Sequence, residues 1–291
     1  MKIAIHGKEF SSDTEKIVMA ILKRLQDENC SLYLSDKFHQ ILKEKSIHLE
    51  SAQIFSHQNP YDNADALITL GGDGTLLDAV TYIGNKETPI LGINTGRMGF
   101  LATTAKNETD QALNNLFSGN YTFDDRTMIC LKTNKPLFDN KSFALNDFTI
   151  LKKDSSSMIV VRTYIDNQFL NAYWADGLIV STPTGSTGYS LSCGGPLVLP
   201  QSKNFVITPV SPHNLTARPI VVDDDANISF KIEGRNDSFL ISLDSRVEII
   251  DSSFTLSIVK EKFSTRLIRL PSDNYFDTLR KKLNWGVDIR N

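Results

Sequence analysis

The chain has 291 residues, a formal charge of −3 and a hydrophobic share of 41%, enough for one large or two ordinary domains with real cores. The slight negative charge gives no electrostatic footprint for nucleic acid, and no segment approaches the roughly 20 consecutive apolar residues of a membrane span. Met1–Gly7 reads as a short strand rather than a secretory leader, and Cys30, Cys130 and Cys193 lack metal-ligand spacing, so free thiols in a cytoplasmic protein are expected.

The first third of the chain alternates short apolar runs with helical periodicity. Ile3–His6 reads as a strand, Thr14–Leu25 as a helix with apolar Ile17, Ala20, Ile21 and Leu25, Cys30–Leu34 as a strand and Lys37–Leu42 as a helix. Ala52–Phe55 is weakly extended. Ala66–Leu70 is a strong strand running into Gly71-Gly72-Asp73-Gly74-Thr75, and a helix follows through Ile83. Pro89–Ile93 is a further strand, ending in Asn94-Thr95-Gly96-Arg97-Met98-Gly99-Phe100. Strands alternating with helices predict a doubly wound parallel sheet, whose ligands lie beyond the carboxyl ends of the strands. Both glycine loops fall at such ends.

A helix is expected over Lys106–Phe117, with Gly119 as its stop. Beyond it the texture changes to many short strands rich in β-branched residues: Tyr121–Thr133, Ser142–Lys152, Met158–Asp166, Gln168–Trp174, Gly177–Ser181, Phe205–Val210, Pro219–Val222, Ala226–Glu233, Phe239–Leu243, Val247–Asp251, Phe254–Lys260 and Thr265–Leu270. That spacing predicts a β-sandwich-like domain, with Asp166-Asn167 as a hairpin turn. A last helix, Asn274–Leu283, stops near Gly286 and has no second core of its own, so it is expected to return to the first domain. The predicted division is 1–105 plus 271–291 for the α/β domain and 106–270 for the β-rich one.

Several motifs carry chemistry, each with a plainer reading beside it. Gly71–Thr75 is either a strand-to-helix turn with a capping aspartate or a loop whose amides take a phosphate. It has neither the lysine of a Walker loop nor the glycine spacing of a dinucleotide fingerprint. Asp73 is the odd ingredient, because a bare carboxylate repels phosphate unless a cation bridges them. Ser181–Ser190 is a hydroxyl-rich loop that either caps a short helix or lines a polar pocket, with Tyr189 as a flat ring for a base and Asp176 close behind. A serine nucleophile lacks a local histidine. Asn146-Asp147 interrupts an apolar strand, so a buried carboxylate there needs a ligand or sits at a bulge. Asp223-Asp224-Asp225 reads as a solvated turn rather than a metal cluster. Tyr173 and Trp174 read as core, with completion of a neighbouring subunit's pocket as the alternative.

Together these residues resemble the NAD kinase family. The resemblance rests on Gly71–Thr75, Asn94-Thr95-Gly96 through Gly99-Phe100-Leu101, Asn146-Asp147, Asp176-Gly177, Thr182–Tyr189, and Pro212-His213 to Arg218-Pro219, in that order along the whole chain. It implies transfer of the γ-phosphoryl of ATP, or of polyphosphate, to the 2′-hydroxyl of the adenosine ribose of NAD, giving NADP. By that resemblance Asp73 is the catalytic carboxylate at the hydroxyl, and the one protein group placed to meet a metal. Gly71, Gly72, Gly74 and Thr75 hold the donor's phosphates with a divalent cation, expected to be Mg2+. Asp73, Gly74, Asn146, Asp147, Thr187, Gly188, Tyr189 and Ser192 meet the adenosine half of NAD. Asp176 meets the nicotinamide end, and His213 the phosphate or ribose region. A homo-oligomer, dimer or tetramer, is implied as well, in which the alternative for Tyr173 and Trp174 is a neighbouring subunit's nicotinamide pocket.

Three positions depart from the family pattern. Asp147 stands where Glu is usual, Gly188 where Ala is frequent, and Asp244-Ser245 where Asp-Gly is common, which puts a tight ligand-facing turn there in doubt. A lipid or other small-alcohol kinase shares the first glycine loop, and a non-catalytic dinucleotide sensor would keep the same pocket. Both stand as alternatives.

Overall fold

A computed structural model describes residues 1–49, 51–96, 99–153 and 158–284. Arg97 and Met98 of the second glycine loop, and the expected helix stop at Gly286, lie outside the described residues. The chain begins β1 (Lys2–Gly7), α1 (Ser12–Asp27), β2 (Ser31–Ser35), α2 (Asp36–Glu44), β3 (Gln53–Phe55), β4 (Ala66–Leu70), α3 (Asp73–Ile83), β5 (Ile90–Ile93), α4 (Thr109–Ser118) and β6 (Thr122–Arg126). Every residue of β4 and β5 is buried, the signature of parallel strands covered on both faces. Val18, Ile21, Leu22 and Leu25 give α1 one buried stripe. Gly119 ends α4 with φ 72°, the left-handed position a helix stop requires.

The continuation is β7 (Ile129–Thr133), β8 (Phe143–Ala144), β9 (Asp147–Lys152), β10 (Ile159–Ile165), β11 (Gln168–Ala175), β12 (Gly177–Ser181), a short α5 (Tyr189–Ser192), β13 (Asn204–Val210), β14 (Ile220–Asp223), β15 (Ile228–Glu233), β16 (Phe239–Leu243), β17 (Arg246–Ile250), β18 (Leu256–Lys260), β19 (Thr265–Arg269) and α6 (Tyr275–Leu283). Chain contacts define two compact units, Met1–Asp124 with the chain from Arg266 onward, and Asp125–Thr265.

The first unit's sheet has the order β3-β2-β1-β4-β5-β19-β6. The chain winds outward from β1 to β3 and then sets β4 on the other side of β1, with Gly7 beside Leu70. That reversal is the topological switch point of a doubly wound sheet. In the second unit two antiparallel sheets, β11-β10-β15-β18-β7-β8 and β14-β13-β12-β9-β16-β17, share one core that includes Phe148, Phe205, Phe230 and Phe239. This is a β-sandwich. Asp166 and Asn167 both take positive φ, 49° and 65°, as a two-residue turn joining β10 to β11 demands.

The structure corrects several expectations. The run Tyr121–Thr133 is two strands in different sheets, β6 and β7, with the break at Thr127-Met128; Arg126, at the end of β6, is buried and donates to Thr184 Oγ1. Ser142–Lys152 also breaks, at Leu145-Asn146, where the chain passes from one sheet of the sandwich to the other. The run Thr265–Leu270 joins the parallel sheet beside β5, with Leu267 opposite Ile90. The contact boundary falls after Asp124 rather than at 105, since Ala112, Leu113 and Leu116 of α4 pack into the first unit's core. Tyr173 is buried, but Trp174 on the alternate face of an edge strand is 53% exposed. Asp224 is buried and ion-paired with Lys260 at 2.6 Å, so the Asp223–Asp225 turn is not simply solvated. No helix among the described residues is long and apolar enough to cross a membrane.

Candidate active site

In the first unit the glycine loop leaves β4 at the switch point. A Cβ on Gly71 would fall 2.1 Å from Thr75 Oγ1, so only glycine lets the turn close over that threonine. Gly71 donates its N–H to Ile93 O at 3.0 Å, and Thr75 donates to Gly72 O at 2.9 Å. Thr75, with its hydroxyl under Gly71 and its amide taken, is structural rather than phosphate-facing. The amides of Gly72, Asp73 and Gly74 stand at the start of α3, where helix geometry gives them no intrahelical acceptor. That end of the helix is positive and suits an anion. Lys8, immediately after β1, donates to Gly74 O at 3.1 Å and sets a cation on the same loop. Sequence reasoning missed Lys8; its place just after the first strand was the available signal.

Asp73 opens α3, half-buried. Its Oδ2 accepts the N–H of Phe100 at 2.7 Å, and its Oδ1 accepts those of Leu101 and Ala102 at 3.0 Å each. These amides arrive because residues 99–104 fold back along β5. Asn94 donates its N–H to Thr104 O at 2.8 Å, and Gly92 leaves room for Ala102, whose Cα would lie 2.8 Å from a Cβ there. Gly99 is required for the same reason, since a Cβ on it would sit 1.8 Å from Asp73 Oδ1. A carboxylate offers about four lone-pair sites. Among the described residues three are taken, which leaves one on Oδ2.

Further along α3, Asp78 fixes the helix to the sheet. Its Oδ2 lies 3.2 Å from Nε2 of the buried His6 and 3.0 Å from Lys37 Nζ, while His6 Nδ1 meets Ser35 Oγ at 2.8 Å. Burial acts to raise the Asp78 carboxyl, but contacts with His6 and Lys37 outweigh it and hold the group well below the usual carboxylate range. A depressed folded value stabilises above the unfolded value of about 3.9 and is lost as pH falls through the folded one. Asp78→Asn is therefore expected to cost roughly 1–3 kcal/mol at pH 7, with the gap to wild type closing in acid. Equal thermal melts of the two proteins at pH 7 would refute this.

In the second unit the hydroxyl-rich loop follows β12. Thr182 Oγ1 donates to Leu145 O at 2.6 Å, Ser186 Oγ to Pro183 O at 2.7 Å, and Ser190 Oγ meets Thr208 Oγ1 at 2.8 Å. All three residues are fully buried. They build the loop rather than line a pocket. What faces outward is Thr187 (half-buried), Gly188, Tyr189 (40% exposed) and Ser192. Gly185 must be glycine, because a Cβ would fall 2.1 Å from Asn146 O. That close approach brings the loop onto Asn146 and Asp147, and the Cβ position of Gly188 is 3.9 Å from Asp147 Oδ2.

Asp147 is 7% exposed. Burial, with the charge of Asp244 second, pushes its carboxyl up to about 7. Burial also raises the Tyr189 phenol, with Cys193, Asp176 and Asp147 adding to it in that order, so these groups share one neighbourhood. Asp176 pairs with Lys152 Nζ at 2.6 Å and donates its N–H to Val210 O at 3.0 Å. His213 is exposed and donates its backbone N–H to Trp174 O at 2.8 Å. Asn146, Asp147, Asp176, Thr187, Gly188 and Tyr189 thus gather in one unit with His213 near Asp176, while Asp73 and its glycines stand in the other. Lys152 and Asp244 were not foreseen as members of this group. The Asp244-Ser245 turn is tight after all: Leu243 pairs with Arg246, and Asp244 itself takes φ 53°.

Among the described residues no group of three or more His, Cys, Asp and Glu could hold a metal ion. Asp73 has three of its four lone-pair sites on amides. The described residues do not fit a resident metal.

Comparison with known proteins follows the same lines. Residues 3–121 match the family model of the ATP-NAD kinase N-terminal domain, and residues 145–270 that of the C-terminal domain. The chain is 51% identical to an NAD kinase of Cytophaga hutchinsonii and 44% identical to one of Flavobacterium johnsoniae, each over 100% of both chains. Its fold is that of a yeast NADH kinase complexed with NADH, with a TM-score of 0.89 at 23% identity over 100% of this chain and 89% of that one. It is also that of an NAD kinase from Archaeoglobus fulgidus in complex with ATP, with a TM-score of 0.71 at 23% identity over 98% and 99%. Matched by both domain models over 3–121 and 145–270 and by these relatives over its whole length, the chain belongs to the NAD kinase family, whose reaction phosphorylates NAD to NADP.

Proposed function

We propose that this chain carries out the family reaction with ATP as donor and Asp73 as the group that receives the acceptor's 2′-hydroxyl. The observation that carries this is the accounting at Asp73: among the described residues three amides fix the carboxylate, which leaves one lone pair, on Oδ2, for a single hydroxyl donor. Phosphoryl transfer is mostly positioning and charge neutralisation, and a carboxylate fixed in this way positions a hydroxyl. The proton leaves that hydroxyl late, as the bond to phosphorus forms. The amides of Gly72 and Gly74 and the Lys8 ammonium supply positive potential for the donor's phosphates. A divalent cation such as Mg2+ accompanies the nucleotide as part of the substrate.

In the second unit, Asn146 and Asp147 hold the adenosine half of NAD, with Thr187, Gly188, Tyr189 and Ser192 beside them. Asp176 takes the nicotinamide end and His213 the phosphate or ribose region. Dimer or tetramer formation, measured by sedimentation, and a cytoplasmic location belong to the same reading.

One assay tests the whole of it. ATP consumption is followed with NAD, NADH, a diacylglycerol or no acceptor, and repeated with polyphosphate in place of ATP. NADP formation from ATP is the expected result. Phosphorylation of the lipid but not of NAD would replace the reading with a lipid kinase, and NAD binding without transfer would replace it with a dinucleotide sensor.

A further inference from the structure

The passage of the chain between the two sheets of the sandwich is where the adenosine-binding pair sits, and it is held by a group that plays no part in the reaction as described so far. β8 ends at Ala144 in one sheet and β9 begins at Asp147 in the other, so the amides of Leu145 and Asn146 have no strand of their own to pair with. Asp244, in the two-residue turn between β16 and β17, accepts all of them. Its Oδ2 takes the N–H of Leu145 at 3.0 Å, and its Oδ1 takes those of Asn146 at 2.8 Å and Asp147 at 3.2 Å. Asp244 returns its own N–H to Asp147 O at 3.0 Å, and the carbonyls of Leu145 and Asn146 are held by Thr182. Successive amides converging on one anion form a nest, and hydrogen bonds to a charged acceptor are the stronger kind.

We propose that Asp244 is a positioning residue for dinucleotide binding: its carboxylate fixes the backbone of Leu145, Asn146 and Asp147 and so presents the Asn146 and Asp147 side chains to the adenosine half of NAD. The inference rests on the reading that this pair holds that half.

A second consequence separates positioning from mere folding support. Asp244 is itself buried, and burial raises its carboxyl, offset by the three amides and by Arg246. Its charge is the second cause, after burial, of the raised value of about 7 at Asp147. The other groups facing this pair are Arg246 on β17, which donates to Lys141 O and Phe143 O, and Tyr189 on α5 with Asp176 beyond it. Arg126 is bound to Thr184 of the adjoining loop. An ionised Asp147 accepts a charge-assisted hydrogen bond from the adenine amine or a ribose hydroxyl; a protonated one turns one oxygen into a donor and keeps only the weaker neutral carbonyl acceptor. In the wild type the KM for NAD is therefore expected to rise as pH falls below about 7.

The test is steady-state kinetics from pH 5.5 to 9, run on Asp244→Asn, Asp244→Glu and Asp147→Asn, each checked for a cooperative melt. For Asp244→Asn, the KM for NAD is expected to rise about tenfold or more, as loss of charge-assisted bonds implies. The KM for ATP should stay within about twofold, and the pH at which the KM for NAD turns upward should move down, because the neighbouring charge is gone. Asp244→Glu keeps the charge on a longer arm, so it should raise the KM for NAD while keeping the wild-type midpoint. A folded Asp244→Asn with wild-type KM and midpoint overturns the inference, and so does loss of the cooperative melt in both Asp244 variants, which would assign the residue to folding alone. If Asp147→Asn leaves the KM for NAD unchanged, it is the underlying reading of the pair that fails. If Asp147→Asn raises it and Asp244→Asn does not, the failure is confined to Asp244.

Discussion

Asp73→Asn is expected to lower kcat by about two to four orders of magnitude, the range that a positioned proton acceptor supplies, while the KM for NAD changes little. The asparagine amide has one acceptor oxygen where the carboxylate has two. If that oxygen takes the place of Oδ1 and keeps Leu101 and Ala102, the NH2 is turned onto the Phe100 N–H, donor against donor. The lone pair that was left for the 2′-hydroxyl is then gone. An unpaired buried amide costs roughly 1–3 kcal/mol, so the variant should melt lower yet still fold. Rapid-quench measurement of NADP formation with saturating NAD and ATP, together with NAD binding by calorimetry, checks both halves. Turnover near that of the wild type would remove Asp73 from the reaction.

What could be read from the sequence follows a physical dividing line. The parallel sheet was legible because Ile3–His6, Ala66–Leu70 and Pro89–Ile93 are short, mainly apolar runs separated by helical periodicity, the pattern of strands covered on both faces in an α/β domain. The Asp166-Asn167 turn was legible because both residues tolerate positive φ. The breaks at Thr127-Met128 and Leu145-Asn146 were not. At Leu145-Asn146 the ladder is interrupted by a partner distant in sequence, Asp244, whose carboxylate takes the 145–147 amides.

The site shows the same division. Gly71–Thr75 and Asn146-Asp147 announced themselves by composition, a carboxylate among glycines and a carboxylate inside an apolar run. Their supporting groups did not. Lys8, Lys152 and Asp244 are ordinary charged residues in sequence, and only the folded chain shows them within 3.2 Å of the atoms they serve. The hydroxyls of Thr182, Ser186 and Ser190 mislead in the opposite sense, because a dense run of Ser and Thr looks like a pocket lining until each is seen to be consumed by backbone and neighbouring hydroxyls.

Gly99→Ala carries the second large effect, and it reaches the same carboxylate from the opposite side. An added methyl would stand 1.8 Å from Asp73 Oδ1 and 2.4 Å from its Cγ, inside any permitted contact. Either the carboxylate swings off the Phe100–Ala102 amides or residues 99–102 move off the carboxylate. In both cases the fixed acceptor becomes a loose one. Asp73 remains an aspartate, so its proton chemistry is intact and only its position is lost. A displacement of about 1 Å at the reacting group can cost about a hundredfold in rate, and kcat is expected to fall by about that factor with the KM for ATP little changed. The informative measurement is the double-mutant cycle. If positioning by the 100–102 amides is how Asp73 works, Gly99→Ala should add almost nothing on top of Asp73→Asn, because the second change disturbs a geometry already lost. Effects that multiply in the double variant would mean that Gly99 acts on the reaction by some route other than the Asp73 carboxylate.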